Sequence, residues 1–149
     1  ANRQTLRIAF ATQEKAAAVF DNIKWAGYIQ GGAPSEDKKP PAYILVLNDN
    51  SFGKADLTSA GIAMQSMLLG AAEMGLRGCI FGSINKLSLH KALKLDENIE
   101  IVNVIALGKP AETAVIEDIR KTDSIKYRRG SDGVFHVPKI IAEDLIVKI

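Results

Sequence analysis

The side chains best suited to chemistry are few in this sequence, and their spacing argues against most of it. There are two histidines, His90 and His136, one on a helix face and the other in a basic C-terminal stretch. No serine sits in a G-x-S-x-G elbow. Cys79 lies inside a short apolar run, where a buried and inert thiol is expected rather than a low-pKa nucleophile. The carboxylates are scattered over helix surfaces, and no Cys/His cluster has zinc-ligand spacing. General acid–base, nucleophilic and metal catalysis by side chains therefore all lack a constellation to carry them.

Three weaker features point instead toward holding a ligand. Gly82-Ser83 follows a short strand, and a glycine there lets a planar ligand lie against backbone whose N–H can donate to it. Asn2 and Gln4 are amides placed just before another strand, with donors and acceptors suited to the N and C=O edges of a heterocycle. Gly75-Leu76-Arg77-Gly78 has phosphate-loop spacing, but it follows a helix and precedes a strand, the reverse of a dinucleotide fingerprint. It reads as a helix cap and a tight turn.

These features must be positioned by elements that the pattern makes visible. Leu6 to Phe10 and Ala42 to Asn48 read as strands, the second buried on both faces. Between them, Thr12 is expected to cap a helix with an Ala16, Val19, Phe20, Ile23 stripe that ends near Gly27. Gly31 to Pro41 is a loop. Asp56 caps a long helix to Met74, closed by Gly75 and apolar around much of its circumference, so a heavily buried central helix is expected. Cys79 to Phe81 is a strand, Asn85 caps a helix through Leu93, and Glu100 to Leu107 is a buried strand ending at Gly108-Lys109-Pro110. Beyond Pro110 the pattern weakens: Val134 to Val137 suggests an edge strand, and Glu143 to Ile149 a tail that docks on or exchanges with a partner. Alternating helices and strands indicate an α/β or α+β class with helices on one sheet.

Length and composition bound the rest. A chain of 149 residues, 47% hydrophobic and 24% charged, is sized for one globular domain, with no internal boundary evident. Its apolar runs are too short to span a bilayer. A single cysteine and the lack of a secretory h-region at the front suggest a reducing, cytoplasmic setting. Net charge is +2, but Arg120 to Lys139 carries six basic residues against two acidic, or +4. The remaining 13 basic and 15 acidic residues give −2. Only Tyr127 interleaves those cations, whereas stacking platforms for nucleic acid need several aromatics, so no nucleic-acid partner is expected.

Taken in order, the segments resemble the short members of the flavin-dependent nitroreductase family. Asn2-Arg3-Gln4-Thr5-Leu6-Arg7 is similar to its N-x-Q-P-W-x-F segment, with Thr5 and Leu6 departing from the usual proline and tryptophan. Lys24-Trp25-Ala26-Gly27-Tyr28, Pro40-Pro41-Ala42-Tyr43-Ile44 and Asp56 to Leu76 follow, then Gly78-Cys79-Ile80-Phe81-Gly82-Ser83-Ile84. Ala106-Leu107-Gly108-Lys109-Pro110, Ile125-Lys126-Tyr127-Arg128 and His136-Val137-Pro138-Lys139 complete the likeness.

The resemblance implies an α+β fold with a central mixed sheet flanked by helices, and an obligate homodimer with FMN at its interface. It implies hydride transfer from NAD(P)H through the flavin to a nitroaromatic, quinone or similar small-molecule acceptor, chemistry that belongs to the cofactor. It places Asn2 and Gln4 against the isoalloxazine and ribityl chain, and Phe81, Gly82 and Ser83 by the reactive edge. Gly108 and Lys109 would sit near the phosphate. It implies also an N-terminally incomplete domain, because the family's opening helix and Arg-x-Ser-x-Arg segment have no counterpart here, and FMN affinity is expected to suffer accordingly. The rival expectation is a protein of the same fold that binds flavin without redox activity.

Overall fold

A computed structural model describes residues 2–147. The chain separates into two compact units, one built from the segment up to Lys24 together with Pro34–Lys109, the other from Trp25–Ala33 and the segment from Pro110 onward.

The first unit is organised by two strands with almost no polar interruption. These are β2 (Ala42–Asp49) and β4 (Ile99–Gly108). They pair antiparallel at the centre of a four-stranded sheet, with β1 (Leu6–Thr12) on the outside of β2 and β3 (Arg77–Phe81) on the outside of β4. All three pairings are antiparallel, and Val102 is the extra residue of a bulge opposite Val46/Leu47. Alternation along β2 sends Ile44 and Val46 to one face and Tyr43, Leu45 and Leu47 to the other. Every residue from Tyr43 to Asp49 is buried, so both faces must be covered.

Helix α2 (Leu57–Glu73) covers one face. Its Ala60 and Met64 join Ile44, Val46, Val102 and Ile105 in a single apolar cluster. Asp56 accepts from the Thr58 and Ser59 N–H groups at its start. Gly75, at φ +74, closes it in a Schellman arrangement, with Gly75 N–H to Ala72 C=O and Leu76 N–H to Ala71 C=O. The expected burial around its circumference is not found: Ile62 and Leu69, two turns apart on the outer face, are 64% and 62% exposed. On the opposite face, α1 (Glu14–Phe20) lies against β1 and β2, and α3 (Lys86–Leu93) against β4 through the fully buried Leu89.

Helix α1 differs from expectation at both ends. Strand β1 runs on through Thr12, so Gln13, at φ +53, takes the cap position without a side-chain bond. The helix stops at Phe20 because Ile23 is drawn into a β-bridge with Ile84.

The second unit holds a three-stranded sheet in the order β5 (Ala114–Ile119), β7 (Phe135–Ile140), β6 (Arg128–Arg129). Strand β7 is thus central, not the edge expected for Val134 to Val137, and mixed pairing is confined here: β5–β7 is parallel and β6–β7 antiparallel. Of the C-terminal tail, Ala142–Leu145 forms a short helix, α4, and the last two residues lie outside the described residues. No described helix is long and apolar enough to cross a membrane.

Candidate binding site

The start of β1 and the start of α2 meet at one end of the first unit and enclose an open cleft of about 520 Å³. Its walls are Asn2 to Arg7 on one side, and Phe52, Asp56 and Ser59 on the other. Both amides singled out from the sequence, Asn2 and Gln4, therefore line the same space and are exposed to it. The volume is in the range of small-molecule sites.

The wall carrying the amides is fixed from below. Thr5 is buried, and its C=O accepts from Asp49 N–H at 2.8 Å, which extends the ladder one residue past β1. Gln4 then turns the chain out of the sheet at φ +52. Arg7 Nη1 donates to Gln4 C=O at 2.8 Å and to Leu6 C=O at 2.9 Å. Its Nη2 pairs with Asp49 Oδ2 at 3.2 Å, and the guanidinium lies 4.7 Å over the Phe52 ring. Asp49 Oδ1 accepts from the Ser51 hydroxyl and N–H and from Asn98 Nδ2 at 3.0 Å. The Ser51 hydroxyl is the main cause holding this carboxyl below its usual range, and Arg7 adds to it. Asp56 is likewise lowered, chiefly by the Ser59 hydroxyl and with a contribution from Arg3. Two guanidinium groups and the N-terminus of a 17-residue helix thus face two carboxylates that are already hydrogen-bonded. Such a cleft suits a polar, flat ligand with acceptor edges and some negative charge.

Phe81, Gly82 and Ser83 lie on the opposite edge, where β3 ends level, through Val104 and Leu45, with Ala9 in the middle of β1. The order β1-β2-β4-β3 puts three inter-strand spacings, roughly 14 Å, between the two edges, and the register adds an offset along the strands of roughly 3.3 Å per residue. Phe81 is buried and its C=O accepts from Asn103 Nδ2 at 3.1 Å, while Ser83 C=O accepts from Lys24 N–H at 3.0 Å. Gly82 is exposed, and a Cβ there would meet nothing nearer than Asn103 Nδ2 at 3.6 Å. Nothing inside the chain requires a glycine at this position, so what it supplies is an open backbone face. Gly108 and Lys109 lie at the far end, where Gly108 pairs with Arg77 at the start of β3. One chain accordingly brings Asn2 and Gln4 together and leaves the other candidates at two further corners.

Sequence reasoning missed Arg3, Arg7, Phe52 and Ser59 as cleft residues. Asp56 was legible only as a helix cap. The Arg7–Asp49 pair spans two strands and had no local signal.

Other reactive groups are accounted for structurally. Cys79 is exposed on the edge strand rather than buried, but desolvation of its thiol raises the pKa and keeps it protonated. Burial, with Asp21 nearby, pushes Tyr43 up to about 12, which leaves it neutral. His90 Nε2 reaches the C=O groups of Asp96 and Ile99 at 3.1 and 2.9 Å and tethers the turn before β4. Three of the six cations of the basic stretch are ion-paired: Arg128 with Glu117, Arg129 with Glu112, and Arg120 with Asp144. Among the described residues no His/Cys/Asp/Glu group could hold a metal ion.

The family model described as "Nitroreductase family" matches residues 2–109. Among solved structures, a nitroreductase family protein from Clostridium novyi NT superposes with a TM-score of 0.58 at 22% identity, over 71% of this chain and 62% of that one. A nitroreductase-like protein in complex with FMN from Desulfovibrio desulfuricans gives 0.60 at 24% identity, over 74% and 64%. An FMN and NADPH-dependent nitroreductase from Sphigopyxis sp. strain HMH gives 0.55 at 16% identity, over 72% and 70%. The chain spans less than two thirds of the length of the first two. No curated protein matches the sequence.

Proposed function

Since this chain belongs to the nitroreductase family, we propose that it is the flavin-holding core of an FMN-dependent oxidoreductase using NAD(P)H as hydride donor and a nitroaromatic, quinone or similar acceptor. The observation that carries this reading is the cleft at the start of β1, where Asn2 and Gln4 stand beside Arg3, Arg7 and the Phe52 ring. That set fits the group: amides for the N and C=O edges of a heterocycle, the Arg3 guanidinium for negative charge, and an aromatic and Leu6 for a planar ring. FMN, when bound, supplies the hydride chemistry. The chain's own residues orient it, Asn2 and Gln4 by hydrogen bonds and the exposed Gly82 backbone by close approach. Gly108 and Lys109 are reserved for the phosphate end, and Phe81 and Ser83 for the strand end that presents Gly82.

The same reading includes a homodimer. Because the candidate residues of one chain sit at three corners, a site using all of them is incomplete without a second copy. The outer face of α2 supports this, for Ile62 and Leu69 are apolar, exposed and on the helix whose first turn borders the cleft. A cytoplasmic setting completes the proposal.

The test is a titration of the chain with FMN, followed by quenching of flavin fluorescence and by the bound-flavin absorbance after NADH or NADPH is added. Saturable binding with nucleotide-dependent bleaching is expected. A chain that leaves flavin fluorescence unchanged up to millimolar FMN would overturn the reading.

A further inference from the structure

We propose that Arg7 is a positioning residue that acts through Gln4, locking it in a left-handed turn so that its amide faces the cleft. The inference rests on the flavin-binding reading above and deepens it.

Left-handed backbone is sparsely populated by residues with a side chain and persists only where the surroundings dictate it. Gln4 stands at φ +52. Immediately after it, Thr5 is held by burial and by its carbonyl bond to Asp49 N–H. The other hold on Gln4 is Arg7, whose Nη1 takes the carbonyls of Gln4 and Leu6 together. The guanidinium plane is itself fixed, by Asp49 Oδ2 at one edge and by the Phe52 ring against its face. Asp49 is in turn anchored to Asn98, in the turn just before β4. A chain of contacts thus runs from the opening of the central strand to the backbone turn that carries the Gln4 side chain into the cleft wall. The rigid guanidinium plane bonds two carbonyls through Nη1 and a carboxylate through Nη2 while its face lies on Phe52; a lysine ammonium offers its three donors from one point and has no plane to stack.

The experiment measures FMN affinity by fluorescence quenching for the chain and for Arg7→Met, Gln4→Gly and the double variant, with Lys86→Met as control. Lys86 pairs with Glu100 at 3.6 Å on the surface and does not line the cleft. Arg7→Met should weaken FMN binding about tenfold, the equivalent of one charge-assisted hydrogen bond. Lys86→Met should leave it unchanged. Glycine adopts the turn unaided and carries no amide, so Arg7→Met should change affinity by less than about twofold in the Gln4→Gly background. Should Arg7→Met not fold, Arg7→Lys keeps the charge beside Asp49 without the fork, and should still weaken binding about threefold. Unchanged affinity in folded Arg7→Met, or in Arg7→Lys where that stands in for it, would overturn the proposal. So would a full tenfold loss that persists in the Gln4→Gly background, since Arg7 would then act independently of Gln4. Failure of the unsubstituted chain to bind FMN would instead overturn the flavin reading, and the role of Arg7 with it.

Discussion

Two glycines four residues apart, Gly78 in β3 and Gly82 just beyond it, should answer differently to the same substitution. A Cβ on Gly78 would lie 2.6 Å from Leu68 Cδ2, 2.8 Å from Leu107 Cδ2 and 2.8 Å from the Ala106 carbonyl oxygen. The leucine methyls can rotate away. The carbonyl cannot, because Ala106 belongs to central strand β4, which is paired on both sides. Carbon–oxygen contacts between strands settle near 3.3–3.6 Å, so β3 would have to retreat by roughly 0.5 Å. Overpacking of this kind costs about 1–3 kcal/mol, offset by about 0.4–1 kcal/mol from the stiffer unfolded chain. A net loss of about 1–2 kcal/mol would lower a urea midpoint by about 0.5–1 M. Gly82→Ala meets only the ordinary 3.6 Å contact and no positive φ, so its midpoint should stay within about 0.3 M of the parent. If the Gly82 backbone lies against flavin, that variant should instead lose FMN affinity. Urea unfolding followed by far-UV circular dichroism reads the first pair of outcomes and flavin quenching the second. A Gly78→Ala chain as stable as the parent, or a Gly82→Ala chain equally destabilised, would refute the steric reasoning.

Other consequences follow from the packing and the charges. Leu89→Ala empties the fully buried anchor of α3 and should cost about 2–5 kcal/mol in urea unfolding; a loss under about 1 kcal/mol would show that α3 does not depend on it. Glu117 accepts from Arg128 at 2.6 and 2.8 Å and contacts His136 Nδ1 at 2.8 Å. The Arg128 hydrogen bonds, then that of His136, hold its carboxyl at about 2 rather than 4.5. Since the folded value is the lower one, this pair stabilises the three-stranded sheet fully above pH 4.5 and progressively less as pH falls toward 2. Glu117→Gln should abolish that acid dependence in the NMR shifts of β5 to β7, and an unchanged acid transition would rule the network out as its source. Ile62→Glu should halve the mass seen by sedimentation without altering helix content; an unsubstituted chain that sediments as a monomer would remove the dimer from the proposal.

What could be read from sequence was whatever one local pattern enforces. The apolar run of β2, the Asp56 cap, the Gly75 close of α2 and the Asn85 cap of α3 each follow from residue types within a few positions. The three-stranded sheet escaped because β5 and β7 pair in parallel from segments some twenty residues apart, with Pro138 inside β7 and charges on both strands. The ion pairs of the basic stretch were not legible because its partners Glu112, Glu117 and Asp144 lie outside it in sequence and come to it only through folding. Cys79 looked buried because its neighbours are apolar, yet strand order makes β3 an edge.

That same strand order decides what the candidate site can be. Chain order would seat β3 directly beside the element before it, but β4 is inserted between β3 and β2, so the last strand to form in sequence occupies the middle. The amide corner at Asn2 and Gln4 and the glycine corner at Gly82 are thereby fixed to opposite edges of one sheet, and side-chain motion cannot bring them together. A single ligand touching residues of both kinds must either bridge more than roughly 14 Å of sheet or take one corner from each of two copies. Because the cleft is bordered by the first turn of α2, and α2 carries its exposed Ile62 and Leu69 outward, the second arrangement needs no change within the sheet. Mixing Gln4→Gly and Gly82→Ala chains separates the two. If each site draws on two copies, mixed dimers hold one site with both defects and one with neither; statistical exchange makes about half of the dimers mixed, so FMN binding should recover toward about a quarter of the parental stoichiometry. Equal weakness in the mixture and in the separate variants would place both corners' contacts within one chain.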